Sequence, residues 1–545
     1  MGEVEPNVIA GPEVERIIEG SLGELLLLLL KTHYDNILQV DASTDEELPA
    51  NLLLSRAIKL AKWFKQMGIG VGDTVSVNSE NRLEFCVVPV AAFFVGAVFA
   101  PLNPDYTPGE LKHVLNLSKP RAVFCSPITV NKMTKVQRDH PFLKYIVLFG
   151  KDKPKNNRVM MFEDIIAGAD PEDIDESFEA AAVDPNETVA TILMSSGTTG
   201  LPKGVMCTHE SMAVYVDIMR TTMAQVIEND DPSDAIMGLA PFFHSLGFML
   251  MFLNILRGKK MVVFSKFKTK TFLDAIIKYK IQRLVVPPPV MLVLLKHPLT
   301  KQYDLSGIKE IRTGAAPMGK DMERELKERF KVEHVSQGYG MTETTLGTLV
   351  SPIGKTKFGS VGKIVPGMMV KVIDENGKAV GAYKEGEICF KGPLLMKGYV
   401  GDPVATANTI DKDGWLHTGD VAYYDEDEYF YIVDRIKELI KYKAFQVAPA
   451  ELEALLVTHP AVADAAVIGL PDEAAGELPL AYVVKKPGKT ATEKELEKFI
   501  AENVSSQKRL RGGVIFVDEI PRNPSGKILR RHLKERAVKL KKSKL

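Results

Sequence analysis

The 545-residue sequence has little cysteine: Cys86, Cys125, Cys207 and Cys389 are scattered, with no C-x-x-C pair. The spacing indicates neither a disulfide scaffold nor a zinc site. Charge of one sign is also missing. Sixty-nine Lys and Arg face 70 Asp and Glu, a formal net charge of −1, which argues against bulk nucleic-acid or membrane binding. Long apolar runs are few. The one membrane candidate, the uncharged stretch Phe85 to Leu102, is broken by Pro89, Gly96 and Pro101. It reads as a buried helix leading into a short interior strand at Ala97–Ala100, not as a membrane span. The Leu25–Leu30 run is too short to span and reads as a core helix. The N-terminus lacks the positive start and apolar stretch of a secretory signal. Pro6 stands where a myristoylation motif wants Ser or Thr. These absences describe a soluble, intracellular protein, long enough for several packed units.

Short β-rich runs recur at Thr74–Val77, Ala122–Cys125, Tyr145–Phe149, Lys260–Phe264 and Arg283–Val286. Amphipathic segments such as Ser55–Met67 and Asp321–Phe330 lie between several of them. The alternation predicts an α/β fold with largely parallel sheets. The polar stretch Lys151–Glu187 reads as a surface connection. From about Gly359 short strands take over, at Val370–Ile373, Glu387–Phe390 and Tyr429–Val433, and suggest a small β-subdomain. After Asp434-Arg435 the pattern becomes mixed α+β. The expected division is a large domain over 1–434 and a smaller one over 435–545, with the hinge at Asp434–Lys437.

The strand-like run Val189–Leu193 leads into Ser195-Ser196-Gly197-Thr198-Thr199-Gly200-Leu201-Pro202-Lys203-Gly204. Glycines free the backbone to turn N–H groups inward, hydroxyls add donors and Lys203 adds positive charge, a combination suited to polyphosphate. The spacing does not fit G-x-x-x-x-G-K-[ST], which excludes a standard P-loop. Gln337 to Thr344 combines glycines, an aromatic face at Tyr339, a hydroxyl at Thr342 and a carboxylate at Glu343. It could serve a purine, a phosphate and Mg²⁺, and fits a turn around a buried Tyr equally well. Trp415 to Asp420 ends in an Asp suited to ribose hydroxyls or to capping a turn. Pro521 to Lys527 presents one lysine before a helix over Ile528–Leu540, which alone reads as a solvated charge.

Together and in this order, the motifs Ser195–Gly204, Gly338–Thr344, Gly414–Asp420, Asp434–Lys441 and Asn523–Lys527 resemble those of the acyl-adenylate-forming superfamily. Val447 to Glu453 and Gly476 to Pro479 look most like the 4-coumarate-CoA-ligase and beetle-luciferase branch. The resemblance implies that Ser195, Ser196, Gly197, Thr198, Thr199, Gly200 and Lys203 hold the β- and γ-phosphates of ATP. Gly314, Ala315 and Ala316 would wall the adenine, with Tyr339 stacked on it. Thr342 would meet the α-phosphate, Glu343 the Mg²⁺, and Asp420 and Arg435 the ribose. Lys527 would bridge the substrate carboxylate and the α-phosphate. Tyr215, His244, Leu246, Gly247 and Leu346 would line the acid pocket, His244 being alternatively a core histidine. Rotation at the hinge would exchange Lys527 for the face bearing Lys441, Lys443 and Ala444, along which coenzyme A enters. Ala444 departs from the glycine usual in this branch, so its β-carbon would crowd the pantetheine path.

The resemblance therefore implies an ATP- and Mg²⁺-dependent ligase that activates a carboxylic acid (fatty or cinnamate-like) as an adenylate and passes it to coenzyme A. Two rivals stand beside it. One is a luciferin-adenylating monooxygenase, disfavoured by Tyr215, Leu246 and Leu346 where luciferases carry Arg, Phe and commonly Ser. The other is a non-enzymatic nucleotide-binding protein, disfavoured by Lys203, Glu343, Asp420 and Lys527 occurring together. The terminal Ser543-Lys544-Leu545 matches the tripeptide read by the peroxisomal import receptor. From Ala501 onward 13 Lys/Arg meet four Asp/Glu, without the interleaved aromatics of a nucleic-acid tail.

Overall fold

The computed structural model describes all residues except 1–5, 153–156, 196–200, 228–234, 315–317, 353, 444, 473–474, 524–525 and 544–545. Among them four sheets are built, and the expected α/β architecture is present. An eight-stranded sheet runs, edge to edge, from Gly398–Tyr399 through Lys203–Thr208, Val189–Ser195, Val98–Phe99, Thr74–Asn78, Ala122–Cys125 and Tyr145–Leu148 to Val159–Met161. Its pairs are parallel except around Lys203–Thr208. A nine-stranded sheet has a parallel centre that includes Arg283–Val285, Glu310–Thr313 and His334–Met341.

The helices follow from pattern and caps. Val87–Phe94 is apolar on every side and buried on every side, as expected for a helix between sheets. Leu22–Thr32 begins at Ser21, which forms a capping box with Glu24. It is less interior than its leucines suggested. Leu22, Leu26 and Leu30 are buried, while Leu28 is 63% exposed, because a helix turns a one-in-four stripe inward and the rest outward.

The stretch 151–187 is more than a surface connection. It contributes the edge strand Val159–Met161 and the short helix Phe162–Ile165, and Phe162 packs against Phe124 and Phe149. Its polar composition hid two core aromatics, Phe162 and Phe178. The β-subdomain is a five-stranded sheet of Met369–Ile373, Gly386–Lys391, Leu416–Tyr424 and Phe430–Arg435, joined at its edge by the N-terminal strand Val8–Ala10. The last sheet pairs Val462–Asp472 with Gly476–Lys485 and carries Ile440–Tyr442, Phe445–Val447 and Gly513–Phe516. It has its own apolar core around Leu452, Val467 and Val483. No helix among the described residues is long and apolar enough to cross a membrane.

Candidate active site

Both large sheets deliver loops to one place. Val189–Ser195 and Lys203–Thr208 are antiparallel neighbours whose last pair is Ser195 opposite Lys203. In the nine-stranded sheet the parallel strands Glu310–Thr313 and His334–Met341 end side by side, bringing Gly314 and Tyr339 to the same rim. Ligands of open α/β sheets gather at such carboxyl ends. A cavity of about 2050 Å³ opens there.

Of the candidate residues, Ser195, Lys203, Tyr215, His244, Leu246, Gly314, Tyr339, Thr342, Glu343, Leu346, Asp420, Arg435 and Lys527 all line this cavity. Residues 196–200, Ala315, Ala316 and Ala444 lie outside the described residues. Gly247 does not line the cavity, contrary to expectation. On its helix, Ser245–Leu256, it faces the other way, and a β-carbon there would fall 2.1 Å from the Pro241 carbonyl oxygen. Gly247 permits close packing and does not shape the pocket. Lys441 and Lys443 are exposed and also lie outside the cavity.

The polar end is a chain of charged contacts. The Tyr339 hydroxyl donates to Asp420 Oδ2 at 2.6 Å, and Arg435 Nε stands 3.4 Å from Asp420 Oδ1. Asp420 and Arg435 are direct partners on adjacent antiparallel strands, which sets that contact. One face of Tyr339 is covered by Phe390 at 5.9 Å. Burial raises the Asp420 carboxyl above the usual carboxylate range, against the nearby Arg435 charge. Glu343 is buried, and Thr342, also buried, donates to Ser245 Oγ at 3.4 Å. Gly340 is required by close approach, since a β-carbon there would fall 1.6 Å from the Leu346 carbonyl oxygen. Leu346 itself takes φ +132°, a region that side-chain-bearing residues seldom adopt. The Thr344 hydroxyl donates to the Leu346 carbonyl at 2.9 Å and holds it there.

Lys527 reaches this chain from the last sheet's side of the molecule. Its turn is closed by reciprocal bonds with Asn523, and Gly526 takes the left-handed φ of +87° that glycine tolerates. Burial is the largest influence on Lys527, and Arg435 adds to it. Together they pull its ammonium down to about 8, although Asp420 and Glu343 act in the opposite direction. His244, at the start of its helix, is lowered to about 4 by burial and then by the Lys527 charge. It is a neutral imidazole at physiological pH.

The other arm of the cavity is rich in apolar side chains, with Asp217, Arg220 and Asn254 among them. Leu246, Leu250 and Leu253 share one face of the helix Ser245–Leu256, at the four- and three-residue spacing that aligns side chains. Val216 and Met219 face them from His209–Ile227, and Leu25 and Leu29 from Leu22–Thr32.

Three supporting groups escaped the reading of the sequence. The Tyr399 hydroxyl donates to Glu343 Oε1 at 2.9 Å, while Lys203 Nζ sits 4.6 Å over its ring. Ser245 meets Thr342. The buried Gln337 exchanges two hydrogen bonds with the backbone of Met318, just beyond 315–317, and donates to Glu323. Burial pushes Glu323 up to about 7. Each partner lies far from the motif it serves, so spacing offered no signal for Tyr399 or Ser245. Gln337 stood within a quoted motif without a role.

Residues 37–400 match the AMP-binding enzyme family, and residues 451–527 match the AMP-binding enzyme C-terminal domain. The chain is 39% identical over 544 residues to a luciferin 4-monooxygenase of Photinus pyralis, covering 98% of each chain. It is also 39% identical over 511 residues to a 4-coumarate–CoA ligase of Pinus taeda, covering 91% of each. Among solved structures it resembles ATP-bound MatB from Rhodopseudomonas palustris, with a TM-score of 0.81, 27% identity and coverage of 94% of this chain and 98% of that one. Against apo MatB, at the same coverage and 28% identity, the TM-score is 0.72.

Proposed function

Because the chain belongs to the AMP-binding enzyme family and is an acyl-adenylate-forming enzyme that uses ATP, we propose that it is an acid–CoA ligase for an apolar carboxylic acid. The observation that carries this reading is the position of Lys527 in a cavity with a charged nucleotide end and an apolar arm. The higher likeness to ATP-bound than to apo MatB supports taking this arrangement as the adenylating one.

In the first half-reaction an oxygen of the ionised substrate carboxylate attacks the α-phosphorus of ATP. A new P–O bond forms and the bond to pyrophosphate breaks. The nucleophile is already anionic, so no protein base is needed, and the residues act by positioning and charge. Lys527 bridges the carboxylate and the α-phosphate, where repulsion between two anions is greatest. Thr342 donates to the α-phosphate, Ser195 and Lys203 with residues 196–200 hold the outer phosphates, and Asp420 and Arg435 take the ribose. Gly314 and the free face of Tyr339 enclose the adenine. A single buried carboxylate beside a phosphate site suits Mg²⁺, which usually binds through one or two carboxylates and substrate phosphates. Glu343 would hold it, and the ion would neutralise phosphate charge.

The apolar arm supports a fatty acid. From Leu246 to Leu256 the helix rises about 15 Å, the reach of an extended chain of roughly ten to twelve carbons. Burial of such a chain contributes roughly 0.8 kcal/mol per methylene. His244, neutral and beside Lys527, orients the carboxyl end without adding charge. For the second half-reaction, rotation about Asp434–Lys437, between domains 1–434 and 435–545, would withdraw Lys527 and present Lys441, Lys443 and Ala444 to coenzyme A. The coenzyme A thiolate then attacks the acyl carbon and AMP leaves. The tripeptide Ser543–Leu545 would direct the enzyme to peroxisomes through the import receptor; its deletion should move a tagged protein to the cytosol, and unchanged puncta would refute that.

The test of the scheme is a pair of partial reactions. Lys527→Ala should slow single-turnover adenylate formation by at least a hundredfold, whereas Lys441→Ala should spare it and slow thioester formation. Equal losses in both steps for both variants would reject the alternation. A luciferase-like reading is favoured by the identity to the Photinus pyralis enzyme, and bright light from luciferin without thioester from any acid would decide for it.

A further inference from the structure

On the β-subdomain, at the wall of the same cavity, three donor side chains of different chemistry converge. Glu387 and Cys389 are two apart on Gly386–Lys391 and so fall on one face of that strand. His417 is the direct cross-strand partner of Cys389 on Leu416–Tyr424. The Glu387 carboxylate, Cys389 sulfur and His417 nitrogen lie within 4.8 Å of one another. His417 Nδ1 is 3.1 Å from Glu387 Oε2 and 3.6 Å from Cys389 Sγ. With metal–ligand bonds of about 2.0–2.3 Å, the edges of a zinc tetrahedron are about 3.3–3.8 Å, close to both separations.

The other ring nitrogen supplies an independent observation. Asp411 Oδ1 accepts the N–H groups of Asp413 and Trp415, which fixes the carboxylate, and its Oδ2 lies 3.2 Å from His417 Nε2. A carboxylate on the far nitrogen of a histidine is the usual orienting partner of a metal ligand: it keeps the proton on Nε2 and leaves Nδ1 free to coordinate. The second oxygen of Glu387 is likewise fixed, accepting the Gly419 N–H at 2.8 Å. Glu387 and His417 line the cavity, so an ion has a path in, while Cys389 closes the site from below.

We propose that Glu387, Cys389 and His417 bind a zinc-class divalent cation at a site separate from the Mg²⁺ position. The donor set of thiolate, imidazole and carboxylate selects borderline-soft ions over Mg²⁺. On binding, the thiol proton leaves to solvent, and one carboxylate and one thiolate balance the 2+ charge. The fourth position remains for water. Sequence spacing gave no sign of the site because its donors come from two strands nearly thirty residues apart and only one is cysteine.

The test is Co²⁺ binding to the full-length protein, purified in chelator and returned to Mg²⁺ buffer. Wild type should take up one Co²⁺ with a thiolate-to-metal charge-transfer band, and Zn²⁺ should displace it. Cys389→Ser should lose the band, and His417→Gln should weaken binding at least tenfold; Cys207→Ala, which alters the thiol nearest Glu343, should keep both band and affinity. Thermal melts in chelator check that each variant folds, and either of the two site variants suffices. No charge-transfer band in wild type, or a band that survives Cys389→Ser, would overturn the proposal.

Discussion

The Tyr399 hydroxyl donates to Glu343 Oε1 at 2.9 Å while the ring of the same tyrosine underlies Lys203 Nζ at 4.6 Å. One side chain thus fixes both the carboxylate proposed for Mg²⁺ and the lysine proposed for phosphate. Tyr399→Phe keeps the ring and removes the donor. A hydrogen bond to a charged group contributes roughly 1.5–3 kcal/mol, so the KM for MgATP should rise about tenfold or more in ATP–pyrophosphate exchange. Tyr399→Leu should add to the loss by removing the cation–π contact. Wild-type KM in Tyr399→Phe would show that Glu343 needs no such support.

Lys527 sets a basic limb. Its ammonium is lowered from the ordinary 10.5 to about 8, so the free enzyme loses this charge as pH rises through about 8. The value of kcat/KM reports the ionisation of the free enzyme, and for adenylation it should fall above that pH. Lys527→Arg should move the fall upward, because a guanidinium stays charged across this range. His244, lowered to about 4, should produce no inflection between pH 5.5 and 7.5. A descending limb unchanged in Lys527→Arg would assign it to another group.

The apolar arm predicts a chain-length shift. Leu250→Trp places a larger side chain midway along the lining face. Activity on dodecanoate should fall at least tenfold in kcat/KM, while activity on butyrate or hexanoate should stay within about twofold. A uniform loss across chain lengths, with the thermal melt unchanged, would show that acids do not extend along this helix.

Two helices beside the last sheet, Pro449–Thr458 and Arg530–Ser543, are tied together by a buried ion pair. Arg530 Nη2 contacts both oxygens of Glu453, at 2.7 and 2.8 Å, and Arg530 Nη1 lies 3.2 Å from Glu438 just past the hinge. Burial pushes Glu453 up to about 7 despite the guanidinium beside it, so the carboxylate depends on this partner. Arg530→Ala should destabilise the fold by about 3–5 kcal/mol, the cost of stranding a buried charge, read by denaturant unfolding of tryptophan-independent far-UV signal. The double variant Arg530→Met, Glu453→Leu should recover most of that loss. A single variant as stable as wild type would make the pair ornamental.

What the sequence carried and what it hid divide along a physical line. Local chemistry was legible: the alternation of strands and helices, the buried Val87–Phe94 helix, and most of the described motif residues, which line one cavity. The contacts that orient those residues were not legible, because Tyr399, Ser245 and Glu323 act across 56, 97 and 14 positions of chain. The direction a side chain faces was also hidden where glycine is involved. Gly247 stands beside the lining residue Leu246, yet a helical step of about 100° turns it to the packed side. The strand Val8–Ala10 joins a sheet more than 350 residues away, at Met369–Ile373, a pairing that no local pattern announces.

On the proposed function an apolar acid is activated and then handed to coenzyme A. The measurement that tests it most directly is mass spectrometry of single-enzyme reactions holding dodecanoate, ATP, Mg²⁺ and coenzyme A, with luminescence from luciferin followed in parallel. Dodecanoyl-CoA and AMP should form in equal amounts, dodecanoyl-adenylate should accumulate when coenzyme A is left out, and luciferin should give faint light at most. Adenylate without thioester for every acid tried, accompanied by bright light from luciferin, would contradict it.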